Sequence, residues 1–122
     1  VTVLINGVKV AVAALTDVHI PDAGTQAVNT TAKFLLSVGT AGTGVISGPS
    51  NIITDSDYTT VALAAAAAKL PDLPDGHCPL GYLTYRVGTV ARVWSGASVV
   101  DAASSTGGTA AYTDLMCMPY DN

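Results

Sequence analysis

The sequence predicts a mainly β domain, a small β-sandwich or barrel-like arrangement of short antiparallel strands carrying one alanine-rich helix at about residues 58–69. Three observations point there. Short β-branched runs recur between Gly, Pro and Asn-Gly turn signals. All 9 acids are Asp, a residue of turns and caps, and Glu, the helix former, is absent. Only one stretch, around Ala64–Ala68, carries strong intrinsic helix propensity. At 122 residues the chain is read as a single β-rich domain, 1–122, with no interdomain linker and no repeat at solenoid spacing.

Each element follows from local chemistry. Val1–Ile5 and Val8–Val12 flank Asn6-Gly7, and Asn-Gly between β-branched runs is the strongest short hairpin signal. Leu15–Gln26, with Pro21-Asp22 and Gly24, reads as a loop. Thr30–Val38 reads as a strand, Gly39–Gly44 as its flexible connection, and Val45–Ser47 as the return. That glycine run spells G-x-x-G-x-G without a following helix, so it is a hairpin loop and not a phosphate cradle. Asn51–Thr54 reads as a short extended piece. The helix is expected over Tyr58–Lys69, with Ser56 or Asp57 as N-cap, Lys69 in the last turn and Pro71 as terminator.

Leu70–Val87 (LPDLPDGHCPLGYLTYRV) organises the rest. Pro71, Pro74 and Pro79 fix φ and withhold an N–H, which excludes them from a helix interior or a central ladder. The stretch therefore reads as an extended strap with a turn at Asp75-Gly76, launching a strand over Leu80–Val87. Thr89–Trp94, Ala97–Val100 and Ala110–Met118 complete the strands, with Asp101–Thr109 as loop.

Composition excludes several functions. The net charge is −4, and the cations Lys9, Lys33, Lys69, Arg86 and Arg92 are scattered, which argues against nucleic-acid binding. The longest apolar run, Val61–Ala68, is far too short to cross a bilayer as a helix, and no membrane partner is expected. Asn6-Gly7 and Lys9 interrupt the apolar start, so it does not read as a signal segment. Much of the 49% apolar content is Ala and Val, with one Phe and one Trp. Such a thin core with few surface charges predicts burial against other subunits.

The candidate chemical groups each have a structural explanation. His19, His77, Cys78 and Cys117 lack zinc-site spacing, and no metal or cofactor is expected. Cys78 and Cys117 permit a disulfide without requiring one. There is no G-x-S-x-G elbow, and His77 directly beside Cys78 is not how a Cys–His dyad is assembled. Asp55/Asp57 fit a cap and Asp72/Asp75 a turn, so no catalytic residue is assigned. Asn29-Thr30-Thr31 matches a glycosylation sequon, meaningful only in a eukaryotic secretory setting. Tyr82, Tyr85, Trp94, Tyr112 and Tyr120 suggest a sugar platform, but Tyr82 and Tyr85 should point to opposite sheet faces.

Taken in order, Ile5–Val8 (INGV), Lys33–Thr43 (KFLLSVGTAGT), Leu70–Thr89 (LPDLPDGHCPLGYLTYRVGT), Trp94–Ala103 (WSGASVVDAA) and Ala110–Met116 (AAYTDLM) resemble the small structural proteins of tailed bacteriophages. The pattern L-P-x-L-P-x-G-x-x-P-L-G, with Leu70, Pro71, Leu73, Pro74, Gly76, Pro79, Leu80 and Gly81 in place, carries most of that resemblance. It implies a non-enzymatic virion component, similar to capsid decoration (cement) or head-fibre proteins. A decoration protein would sit as a homotrimer on the outer surface of the head, bound to the major capsid protein, after assembly in the bacterial host cytoplasm. The apolar termini or the strap would be the docking surface. The alternatives are a tail or head-fibre module that contacts the host, and a small carbohydrate-binding β module.

Overall fold

The computed structural model describes residues 2–12, 20, 24–94 and 108–115. The chain is mainly β, with one α-helix among the described residues. It opens with β1 (Thr2–Ile5) and β2 (Val8–Ala11), paired antiparallel around Asn6-Gly7. Asn6 and Gly7 have φ of 51° and 79°, the positive values that a type I′ hairpin turn demands and that Asn and Gly tolerate best. This hairpin forms its own two-stranded sheet.

The main sheet is built on β4 (Thr30–Val38). At nine residues it is long enough to carry two short partners end to end on one edge. β5 (Gly44–Ser47) pairs with Leu35–Val38, and β6 (Ile52–Thr54) pairs with Thr30–Ala32. Along its other edge β4 pairs with β7 (Cys78–Val87), which pairs in turn with β9 (Thr109–Asp114). A further two-stranded sheet joins β3 (Gly24–Gln26) to β8 (Arg92–Trp94). Among the described residues no sheet closes on itself. The expected small β-rich domain of short antiparallel strands with one helix is present, its described sheets open: β5 and β6 both use the same edge of β4, leaving β9 as the far strand.

Two apolar clusters hold these pieces together. The first gathers Ile20, Ala32, Phe34, Tyr85, Val87 and Trp94. Trp94 is 1% exposed and receives Phe34 and Tyr85 edge-on, with ring centroids 5.1 and 4.9 Å away. Edge-to-face contacts of this kind add about 0.5–1.5 kcal/mol beyond the area buried. The second cluster packs Val3, Ile5 and Val10 of the hairpin on Val38 and Leu80 of the main sheet. Gln26, fully buried, clasps the first cluster. Its Nε2 donates to the carbonyls of Thr30 (3.2 Å) and Tyr85 (3.1 Å), and its Oε1 accepts from Trp94 Nε1 at 3.0 Å.

Several boundaries differ from expectation. The helix α1 spans Val61–Ala67, shorter than 58–69, because Asp55–Asp57 form a separate 3-10 turn and Thr60 takes the N-cap. Thr60 Oγ1 accepts from Leu63 N at 3.2 Å. Asp55 is engaged elsewhere: its Oδ2 accepts from Arg86 Nε at 2.7 Å and its Oδ1 from Thr31 Oγ1 at 3.3 Å. Past the helix, Lys69 N donates to Asn51 Oδ1 at 2.8 Å, so Lys69 is not in the last turn. Pro79 lies inside β7, against the expectation that the strand starts at Leu80. It does so where the register against β4 slips between Leu36 and Ser37, and a bulge is one of the few sheet positions that accept proline. β3 lies within the predicted loop 15–26, and the predicted strand 89–94 narrows to Arg92–Trp94. Ala97–Val100 and the end of Ala110–Met118 lie outside the described residues.

Candidate interaction surface

The strap is fastened to the sheet by its small and cyclic residues. Gly48 has a φ of 121°, and a Cβ there would strike the Pro71 ring and approach the Lys33 carbonyl and the Phe34 backbone. Pro71 thus lies against the turn that leaves β5, a close approach that only glycine permits. His77 N donates to Pro74 O at 3.1 Å across a turn whose third residue, Gly76, has φ 71°, as a type II turn requires. The predicted turn at Asp75-Gly76 is present.

His77 closes the strap on β4. Its Nδ1 lies 3.1 Å from Ser37 Oγ, and its ring covers Gly39, where a Cβ would sit 3.0 Å from Nε2. A Ser–His contact invites a catalytic interpretation. Ser37 is fully buried, however, so its hydroxyl cannot meet a substrate. The contact is a fastening. Cys78 is half-buried beside the second cluster, and Cys117, His19 and Tyr120 lie outside the described residues, as does any Cys78–Cys117 pairing. Among the described residues no group of three or more His, Cys, Asp or Glu could hold a metal ion.

The acidic pairs separate. Asp55 joins β6 to β7 through Arg86, whereas Asp57 is exposed in the 3-10 turn. Asp72 and Asp75 are exposed along the strap. In the sequon, Asn29 is an exposed turn residue with φ 56°, its N–H donated to Val87 O at 2.9 Å. The aromatic residues divide as well. Trp94 and Tyr85 are spent in the core, while Tyr82 is half-buried with Lys33 Nζ 5.3 Å above its ring. Tyr112 is exposed. The predicted set does not form one platform.

Part of the exposed surface is apolar. α1 buries Ala64 and exposes Val61, Ala62, Leu63 and Ala66, with Leu63 52% exposed. A helix apolar on all sides is normally covered on all sides. Leu70 and Leu73 of the strap are also exposed, as is Ile52 of β6. The Lys69–Asn51 bond brings the end of α1 beside the start of β6, so these side chains belong to one region of the molecule. Sequence reasoning found this helix and strap but not Ile52, whose exposure depends on which edge of β4 it joins. No helix among the described residues is long and apolar enough to cross a membrane. Compared with known protein families, curated proteins and solved structures, the chain matches none.

Proposed function

We propose that this chain is a non-enzymatic structural protein of a tailed-bacteriophage virion, a decoration protein that binds the outer surface of the head and stabilises the shell. The observation that carries the proposal is the strap: its L-P-x-L-P-x-G-x-x-P-L-G pattern resembles that protein class, and its leucines lie on the surface beside an apolar helix. The partners are the major capsid protein and further copies of this chain, with a homotrimer as the assembly that the resemblance implies. Nucleic acid and membrane are not partners in this reading, in keeping with scattered cations and a net charge of −4. Stabilisation is mass action: a protein that binds only the assembled shell favours it over dissociated subunits.

The test is rebinding. Purified protein added to heads that lack it should bind saturably and raise their resistance to heat or chelator. Leu70→Asp with Leu73→Asp should abolish binding while leaving the fold intact by circular dichroism. Failure of the native protein to bind heads overturns the decoration reading; binding to tails or host cells instead would select the fibre alternative.

A further inference from the structure

β9 is the outer strand of the five-stranded sheet, and its outer edge meets no described strand. The ladder identifies which backbone groups face outward. Leu115 N donates to Leu80 O at 3.0 Å, and the register sets Gly81 opposite Asp114. In an antiparallel ladder, directly opposed residues alternate between exchanging both hydrogen bonds and exchanging none. Leu80/Leu115 is a bonded pair, and so are Tyr82/Thr113 and Thr84/Ala111. Ala110 and Tyr112 therefore turn N–H and C=O away from β7.

Proteins protect such an edge with lysine, proline, a bulge or a covering element. The register of β9 runs unbroken from Thr109 to Asp114, and residues 109–113 (TAAYT) contain neither charge nor proline. Every residue of the strand is exposed. Tyr112, its one large side chain, leans back over Gly81, where a Cβ would collide with Tyr112 Oη. The ring therefore does not shield the edge.

We propose that β9 pairs antiparallel with β9 of a second copy, across a two-fold axis at Ala111, merging the two main sheets into one. The strand is its own complement. Only outward-turned residues can bond outward-turned residues, so allowed registers differ by two. Centring on Ala111 sets Ala110 opposite Tyr112 of the second copy, Thr109 opposite Thr113, and Gly108 opposite Asp114. Small meets large, and no charge meets a like charge. A shift of two residues would bring the two Tyr112 rings face to face. An isologous pairing closes on itself and gives pairs, not fibres. So short a contact falls below the ~1,200 Å² of a stable interface, so the association is concentration-dependent. The pairing stands independently of the head-binding proposal.

Light scattering on the full chain should show the mass doubling with concentration. Ala110→Pro removes an outward N–H without touching the β7 ladder, and Ala110→Lys adds an edge charge. Each should abolish the doubling with β content unchanged. Across the axis the two Ala111 residues form a non-bonded pair, whose Cα atoms lie about 4.5 Å apart, within disulfide range. Ala111→Cys should therefore cross-link into a covalent dimer under mild oxidation at least several-fold faster than Ala110→Cys, both variants retaining Cys78 and Cys117. A native mass independent of concentration, doubling that survives both Ala110 changes, or equal cross-linking of the two cysteine variants would overturn the proposal. A trimer indifferent to the Ala110 changes would overturn edge pairing and leave head binding standing; paired copies that ignore heads would do the reverse.

Discussion

β4 and β9 belong to one sheet and differ in almost every physical respect. β4 is bonded along both edges and buried along nearly its whole length, whereas β9 is exposed and, among the described residues, bonded on one edge. β4 carries Phe34 and Val38, one in each apolar cluster, so both halves of the core rest on it. β9 contributes to neither. Among the described residues the apolar core is thus concentrated at one end of the sheet, and the other end carries the edge at which pairing with a second copy is proposed. A strand can be specified by its pairing alone and still leave room for a partner.

The largest effects should come from the β4 end. Trp94→Ala or Phe34→Ala empties the first cluster and should cost ~3–5 kcal/mol in denaturant unfolding. Gln26→Leu leaves Trp94 Nε1 buried without its acceptor, while the Thr30 and Tyr85 carbonyls keep their ladder partners on β7 and β4, and should cost ~1–3 kcal/mol. Arg86→Ala leaves the mostly buried Asp55 carboxylate with only Thr31 and should cost ~1–3 kcal/mol; Arg86→Lys should recover only part of this. Thr60→Ala removes the helix cap and should cost ~1 kcal/mol. At the β9 end, Ala110→Lys should change monomer stability by no more than ~0.5 kcal/mol. Equal costs at the two ends would dissolve the contrast.

A smaller effect concerns pH. Partial burial, with a contribution from Asp114, holds the Tyr112 phenol above its ordinary pKa of 10.0. Folding therefore favours the protonated phenol. The contribution is fully present below pH 10 and is lost as pH rises through the raised folded value. Asp114→Asn should move the spectrophotometric titration of Tyr112 back towards 10.0, with Tyr112→Phe identifying the phenol.

The parts legible in the sequence were those set by local geometry. Asn6-Gly7 and Asp75-Gly76 announce turns because few residues accept positive φ, and Thr30–Val38 was bounded correctly by a turn residue and a glycine. The parts that were not legible depend on distant partners. Trp94 and Gln26 are 68 residues apart, and neither carries a local sign of the bond between them. Pro79 reads locally as a strand breaker, and the slip opposite Leu36 and Ser37 that accommodates it is a property of the distant β4. Asp57 is a good capping residue on propensity, yet Thr60 caps the helix because the preceding turn ends at Asp57. The surface is half-legible: the strap and helix are visible, but that β9 has no partner on its outer edge among the described residues follows only from sheet order.

The most direct test of this division is hydrogen exchange, followed amide by amide in dilute protein and again at high concentration. At low concentration Thr31–Val38 should exchange only through global unfolding, while Ala110 and Tyr112 exchange almost as fast as unprotected amides. At high concentration those two amides should become protected and Ala111 should change little. Protection of Ala110 and Tyr112 equal to that of Phe34 in dilute protein would contradict the account, because that edge would then already be covered within a single chain.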